Sequence, residues 1–165
     1  ITMIILQQFD IQSKCILEVH GDPKFLDLPK EERNLNNLYN QNMHFIDRDE
    51  NEGQAIIHRI AANRAHRFYG LLKEGDIYAQ KYYKAGKLHR INGPAEIIEA
   101  VNSGTYKREC YYQNNYIMNE NGPVVICTDI NGTISYTYQF NGKMFHTINI
   151  LLTSKEEMEN YLILQ

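Results

Sequence analysis

The stretch from Tyr82 to Ala95, reading Tyr-Tyr-Lys-Ala-Gly-Lys-Leu-His-Arg-Ile-Asn-Gly-Pro-Ala, returns in altered form twenty-nine residues downstream. Tyr111-Tyr112 keeps the same distance to Asn121-Gly122-Pro123-Val124, and a partial third copy runs from Tyr138 through Asn141-Gly142-Lys143-Met144. A unit this short cannot bury a hydrophobic face alone, so its copies must stack on one another. The tandem period therefore constrains the second half of the chain more than any other feature does.

Between the copies, short aromatic and β-branched runs alternate with turn dipeptides. The candidate strands are 77–84, 87–90, 95–100, 105–113, 124–129, 133–140 and 143–148. Asn131-Gly132 and Asn141-Gly142 are tight-hairpin signals, because both central positions of a type I′ turn need positive φ. Asn131-Gly132-Thr133 is also a glycosylation sequon, read here as a hairpin turn. Pro94 and Pro123 lack the N–H that a central ladder needs, so each belongs at a strand start. Hairpins without intervening helices imply an antiparallel meander.

The first half has a different texture. Residues 3–9 and 14–20 read as a hairpin of two strands, closed by Gly21-Asp22-Pro23. Leu28-Pro29 followed by Glu31 and Glu32 reads as a helix start, with Leu35, Leu38 and Tyr39 at helical spacing up to Asn40. A second helix is expected over 54–68. Asp49 and Glu52 resemble a capping box, and Ile56, Ile57, Ile60, Ala61, Ala65 and Phe68 fall on one arc at 100° per residue. A rival reading notes that Gly53-Gln54-Ala55-Ile56-Ile57 echoes Gly93-Pro94-Ala95-Glu96-Ile97, which would make this segment another repeat strand. The helical periodicity is preferred. At the end of the chain, Ser154 and Glu157 form a capping box ahead of Met158, Tyr161 and Leu162. The expected architecture is α+β: an N-terminal hairpin and two helices over 1–75, an antiparallel meander over 76–150, and a capping helix over 151–165.

The pattern Tyr82-Tyr83-x-x-Gly86-Lys87-Leu88-His89-Arg90-x-x-Gly93-Pro94-Ala95 resembles a MORN-like repeat variant common in phage and large-DNA-virus proteins. The resemblance covers about residues 76–148. In the second copy Asn115-Tyr116 replaces Gly-Lys, 117–120 lacks His-Arg, and Val124 replaces Ala; the third lacks Gly-Pro. The resemblance implies a meandering sheet used as a scaffold or binding surface in a viral protein. It brings no catalytic residue.

Charge suggests where a ligand would go. The chain carries −3 overall, yet between His58 and Arg90 eight Lys or Arg stand against Glu74 and Asp76 alone. This asymmetry makes an anionic ligand or nucleotide conceivable for that segment, while the acidic remainder would repel a nucleic-acid backbone. His-Arg occurs at 58–59, 66–67 and 89–90, and an Arg fork beside an imidazole can grip phosphate or carboxylate. The candidate anion site is Arg59, His66, Arg67, Lys87, His89 and Arg90, although His89 also fits a structural role in its own turn. Consecutive tyrosines point to opposite faces of a sheet, so Tyr82, Tyr83, Tyr111 and Tyr112 are the candidate protein contacts.

Acid–base phosphoester hydrolysis by His58, His66 and His89 is a third reading, but no nucleophile elbow, phosphate-cradling loop or paired carboxylates accompany them. No catalytic residue and no cofactor is assigned. Cys15, Cys110 and Cys127 show no ligand spacing, so no metal site is expected, and three unpaired thiols suit a reducing compartment. The opening Ile1–Leu6 is too short for a signal sequence, and no run approaches the roughly eighteen apolar residues of a membrane span. The sequence thus points to a cytoplasmic binding protein (in host cytoplasm, if viral) that engages a protein partner, with a host protein as one candidate. Nothing in it specifies an oligomeric state.

Overall fold

The computed structural model describes residues 1–62, 64, 72–99 and 105–165. Its main element is a nine-stranded antiparallel sheet. The hairpin β1 (Met3–Phe9) and β2 (Cys15–Gly21) is followed by β3 (Ile56–Arg59), β4 (Ile77–Lys81), β7 (Glu96–Glu99), β8 (Thr105–Cys110), β11 (Val125–Asp129), β12 (Ile134–Phe140) and β13 (Lys143–Ile148), in that spatial order. Two miniature hairpins project from the connections: β5 (Tyr83–Lys84) with β6 (Lys87–Leu88), and β9 (Tyr112–Gln113) with β10 (Tyr116–Ile117). The sheet runs unbroken from β3 to β4, across residue 75.

The expected α+β architecture with two helices after the hairpin is overturned. One α-helix, α1 (Leu35–Gln41), lies between β2 and β3, within a run of 3₁₀ turns at Pro23–Asp27, Lys30–Glu32 and Met43–Phe45. It starts later than Pro29 because Asn34 caps it, accepting from the Asn37 amide at 2.9 Å. The helix expected over 54–68 is replaced in its first part by β3, which pairs Ile57 with Glu18 on one side and Gln80 on the other. Residues 63 and 65–68 of that expectation lie outside the described residues. The physical reason is that Ile56 and Ile57 are stiff, β-branched and both covered, at 1% and 7% exposure. That suits a central strand buried on both faces. Asp49, the expected helix cap, instead closes a local turn by accepting from the Asn51 amide.

Two cores hold the sheet from opposite faces. Leu17, Val19 and Ile56 pack with Phe25, Leu38 and Ile46 from the 22–46 segment, and Tyr83 closes this cluster. Alternation places Tyr138 on the other face, where Leu152 and, from the C-terminal helix α2 (Lys155–Ile163), Met158 cover it. Ser154 caps α2, accepting from the Glu157 amide at 3.1 Å.

Candidate functional site

The repeat motif can be rebuilt atom by atom. In one unit the Tyr82 amide donates to the Ala95 carbonyl at 2.8 Å, and the Tyr82 carbonyl accepts from the His89 amide at 3.0 Å. Twenty-nine residues on, Tyr111 makes the same pair of bonds with Val124 and Met118, at 2.9 and 3.0 Å. The Arg90 guanidinium donates to the Pro94 carbonyl at 3.2 Å, and the Asn119 side chain takes that role at Pro123, at 2.9 Å. The glycine of each Gly-Pro follows from this. A Cβ on Gly93 would sit 3.0 Å from the Arg90 guanidinium, and one on Gly122 would sit 3.0 Å from the Asn119 amide nitrogen. The tips of the units all use left-handed pairs: Ala85-Gly86, Asn114-Asn115 and Asn141-Gly142.

The same unit also exists upstream, where sequence reading preferred a helix. His20 donates to the Ala55 carbonyl at 2.7 Å and accepts from the Asp47 amide at 3.2 Å. Arg48 donates to the Gln54 carbonyl at 2.9 Å, as Arg90 does to Pro94. Gly21 bridges Ile46, as Tyr83 pairs with Leu88 and Tyr112 with Ile117. This unit is masked in sequence because the two-residue tip is replaced by the helical segment between Asp22 and Phe45. Across the sheet, His20, Ala55, Tyr82, Ala95, Tyr111, Val124 and Tyr138 form one row, ring beside small residue. Ala55, Ala95 and Val124 in that row are fully buried.

The described members of the candidate anion site do not assemble in one place. Arg59 lies on β3 opposite Ile77, at the far end of β4 from the 83–88 hairpin. Five residues of strand, about 16 Å, separate these ends. Arg59 is paired to Glu18 at 2.5 Å. Arg90 lies 3.9 Å over the Tyr82 ring, with its Nε 3.7 Å from Glu50. Glu50 also accepts from the Ile91 and Asn92 amides, at 3.3 and 3.1 Å. His89 accepts from the Asn114 amide through Nδ1 at 3.2 Å, which places its proton on Nε2. Lys87 is exposed at the tip of its hairpin. His66 and Arg67 lie outside the described residues. A cavity of about 430 Å³ beside His89 is bordered by Asp47, Asp49, Glu50 and Glu52 as well as by Arg48 and Lys84, so carboxylates outnumber cations there.

The remaining basic geometry is a cleft of about 290 Å³ where His58, Arg59, Arg64 and Tyr78 converge. Burial, then the Lys81 charge, hold the His58 imidazole below its ordinary pKa, and burial raises the Tyr78 phenol. The sequence reading missed Tyr78, because only the fold brings it within 5.7 Å of the His58 ring.

Of the candidate contact tyrosines, Tyr82 and Tyr83 are 7% and 8% exposed and belong to the interior. Burial pushes the Tyr83 phenol up to about 12. Tyr111 and Tyr112 are half-buried, and beside them Tyr116 is open, at 73%. All three cysteines are free, and burial raises the Cys110 thiol to about 11. Among the described residues no three His, Cys, Asp or Glu side chains gather to hold a metal ion. No helix among them is long and apolar enough to cross a membrane. No known protein family, curated protein or solved structure matches this chain.

Proposed function

We propose that this chain is a non-catalytic binding scaffold, a MORN-like array whose C-terminal half engages a protein partner. One observation carries the reading: the His-Arg step of the motif and its counterparts are spent inside the array. Arg48, Arg90 and Asn119 each hold the carbonyl of their own turn, and His89 holds the neighbouring hairpin. Among its exposed polar side chains the array also presents apolar ones. Tyr116, Met118, Met144 and Ile148 are 73%, 40%, 51% and 64% exposed, all on or beside its last three hairpin strands. Exposed apolar side chains grouped at one end of a fold suit a protein contact better than solvent.

The test is saturable capture of a protein from a lysate on the immobilised full chain, repeated with the triple variant Tyr116→Ser, Met144→Lys, Ile148→Lys. A captured protein lost with the triple variant, which should keep the wild-type melting temperature, supports the reading. Capture indifferent to those changes overturns it. A melting shift with inorganic phosphate or a nucleotide, removed by Arg64→Ala, would favour an anionic ligand in the His58–Arg59–Arg64 cleft instead.

A further inference from the structure

Successive units do more than share a sheet, because the miniature hairpins also bond to one another. At the first junction the Arg48 amide donates to the Tyr83 carbonyl and the Gly86 amide to the Ile46 carbonyl, at 3.2 and 2.8 Å. At the second, Arg90 donates to Tyr112 and Asn115 to Leu88, at 3.1 and 2.9 Å. Side chains reinforce both. Asp47 accepts from the Ala85 amide at the first, and His89 accepts from the Asn114 amide at the second. The Asn115 side chain also accepts from the Leu88 amide, at 2.7 Å.

By the same register, the third junction would join the Asn119 amide to the Gln139 carbonyl and the Gly142 amide to the Ile117 carbonyl. Neither main-chain bond forms. A slot of about 460 Å³ opens there instead, lined by Ile117, Met118, Asn119, Gln139, Phe140 and Gly142. One residue separates this junction from both of the others. Met118 stands where Asp47 and His89 supply an acceptor, whereas Gly142 matches Gly86 of the first junction, which closes without a side chain there, and Asn115 of the second, which adds an acceptor. The slot falls within the range of small ligand clefts, about 300–1,000 Å³.

We propose that this slot receives an extended, uncharged peptide segment of a partner protein, whose main chain takes up the hydrogen bonds that the first two junctions make internally. The assignment rests on the scaffold reading and names its site. Two donors and two acceptors facing one gap call for an occupant with both, which an extended backbone provides. Ile117, Met118 and Phe140 provide apolar walls for alternate side chains. The charges at the rim, Glu120 and Lys155, lie 3.7 Å from each other, leaving no net charge to select a charged segment.

The experiment uses the full chain and a phage-displayed library of linear heptapeptides, with the selected peptides resynthesised as blocked peptides. The control variant Met118→Asp with Gly142→Asn gives the third junction both side-chain acceptors of the second. Asn suits the left-handed backbone at 142, where φ is +75° and a Cβ meets nothing within 4 Å. The proposal expects uncharged, apolar-rich peptides that bind the double variant at least about tenfold more weakly, a difference of about 1.4 kcal/mol. It also expects the Asn119 and Gly142 amides to exchange hydrogen much faster than those of Arg90 and Asn115 in the free protein, and to slow when peptide is added.

Asn119 and Gly142 amides already as protected as those of Arg90 and Asn115 would overturn it. So would peptides that protect other amides only, or self-association that protects these two and assigns the slot to a second copy. If the protein captured in the scaffold test survives in the double variant but not in the triple variant, the slot assignment falls and the scaffold reading stands.

Discussion

Arg90 shows how a residue that looks like a ligand hook becomes an architectural one. Its guanidinium covers Tyr82 at 3.9 Å, donates to the Pro94 carbonyl and faces Glu50. A stacked cation contributes about 0.5–2 kcal/mol and a partly buried hydrogen bond about 1 kcal/mol. Arg90→Ala should therefore destabilise the chain by about 2–3 kcal/mol in urea unfolding. Arg90→Lys should recover only part of that, because an ammonium cannot stack and fork together. A loss below about 0.5 kcal/mol would show the guanidinium to be idle. The Gly-Pro turn, the His-Arg step and the Asn141-Gly142 turn were legible at this scale, each within one short stretch of chain, whereas Asn131-Gly132, expected as a type I′ turn, has only Gly132 at positive φ, and the left-handed Ala85-Gly86 and Asn114-Asn115 carried no such signal. The roles of His89 and Arg90 were not legible, since Glu50, the partner of Arg90, lies forty residues away, and Asn114, the partner of His89, twenty-five.

Elements form where local preference and packing agree, and two of the helices expected from the sequence show the two outcomes. For α2 the cap, the first-turn acids Glu156 and Glu157 and the buried Met158 all agree. Removing the Ser154 hydroxyl should cost about 1 kcal/mol. Ser154→Ala should thus lower the melting temperature while leaving the far-ultraviolet spectrum nearly unchanged; an unaltered melting temperature would mean that the cap bond contributes nothing. For the 54–68 segment, helical spacing of Ile56, Ile57 and Ile60 competed with their β-branched stiffness. Pairing on both sides decided for the strand. A period over so few residues cannot separate a helix from a strand covered on both faces.

At the scale of the whole molecule, the sheet is fastened at its ends, by the 22–46 segment on one face and by α2 on the other. The first fastening makes the fold acid-sensitive. Burial holds His20 and His58 below the ordinary imidazole pKa, with Arg48 adding to the effect at His20 and Lys81 at His58. Such a group binds fewer protons folded than unfolded. Its stability is fully present above the unfolded pKa of about 6.5 and is lost as pH falls from there through the folded value. Melting temperature should be flat above pH 7 and fall below about 6.5, and His58→Gln should flatten that fall. A fall of the same steepness in the variant would remove His58 as the cause.

Residue order alone dictates the Gly-Pro turn of each unit, the Asn141-Gly142 tip and the cap of α2, because each is a requirement met by neighbours a few positions apart. Tertiary structure decided the rest: that Ile56–Arg59 is a strand, that the helical segment 22–45 occupies the tip of a repeat turn, and that the third junction stands open. Each of these depends on which main-chain groups meet across twenty or more residues, and only the register of the folded sheet sets that.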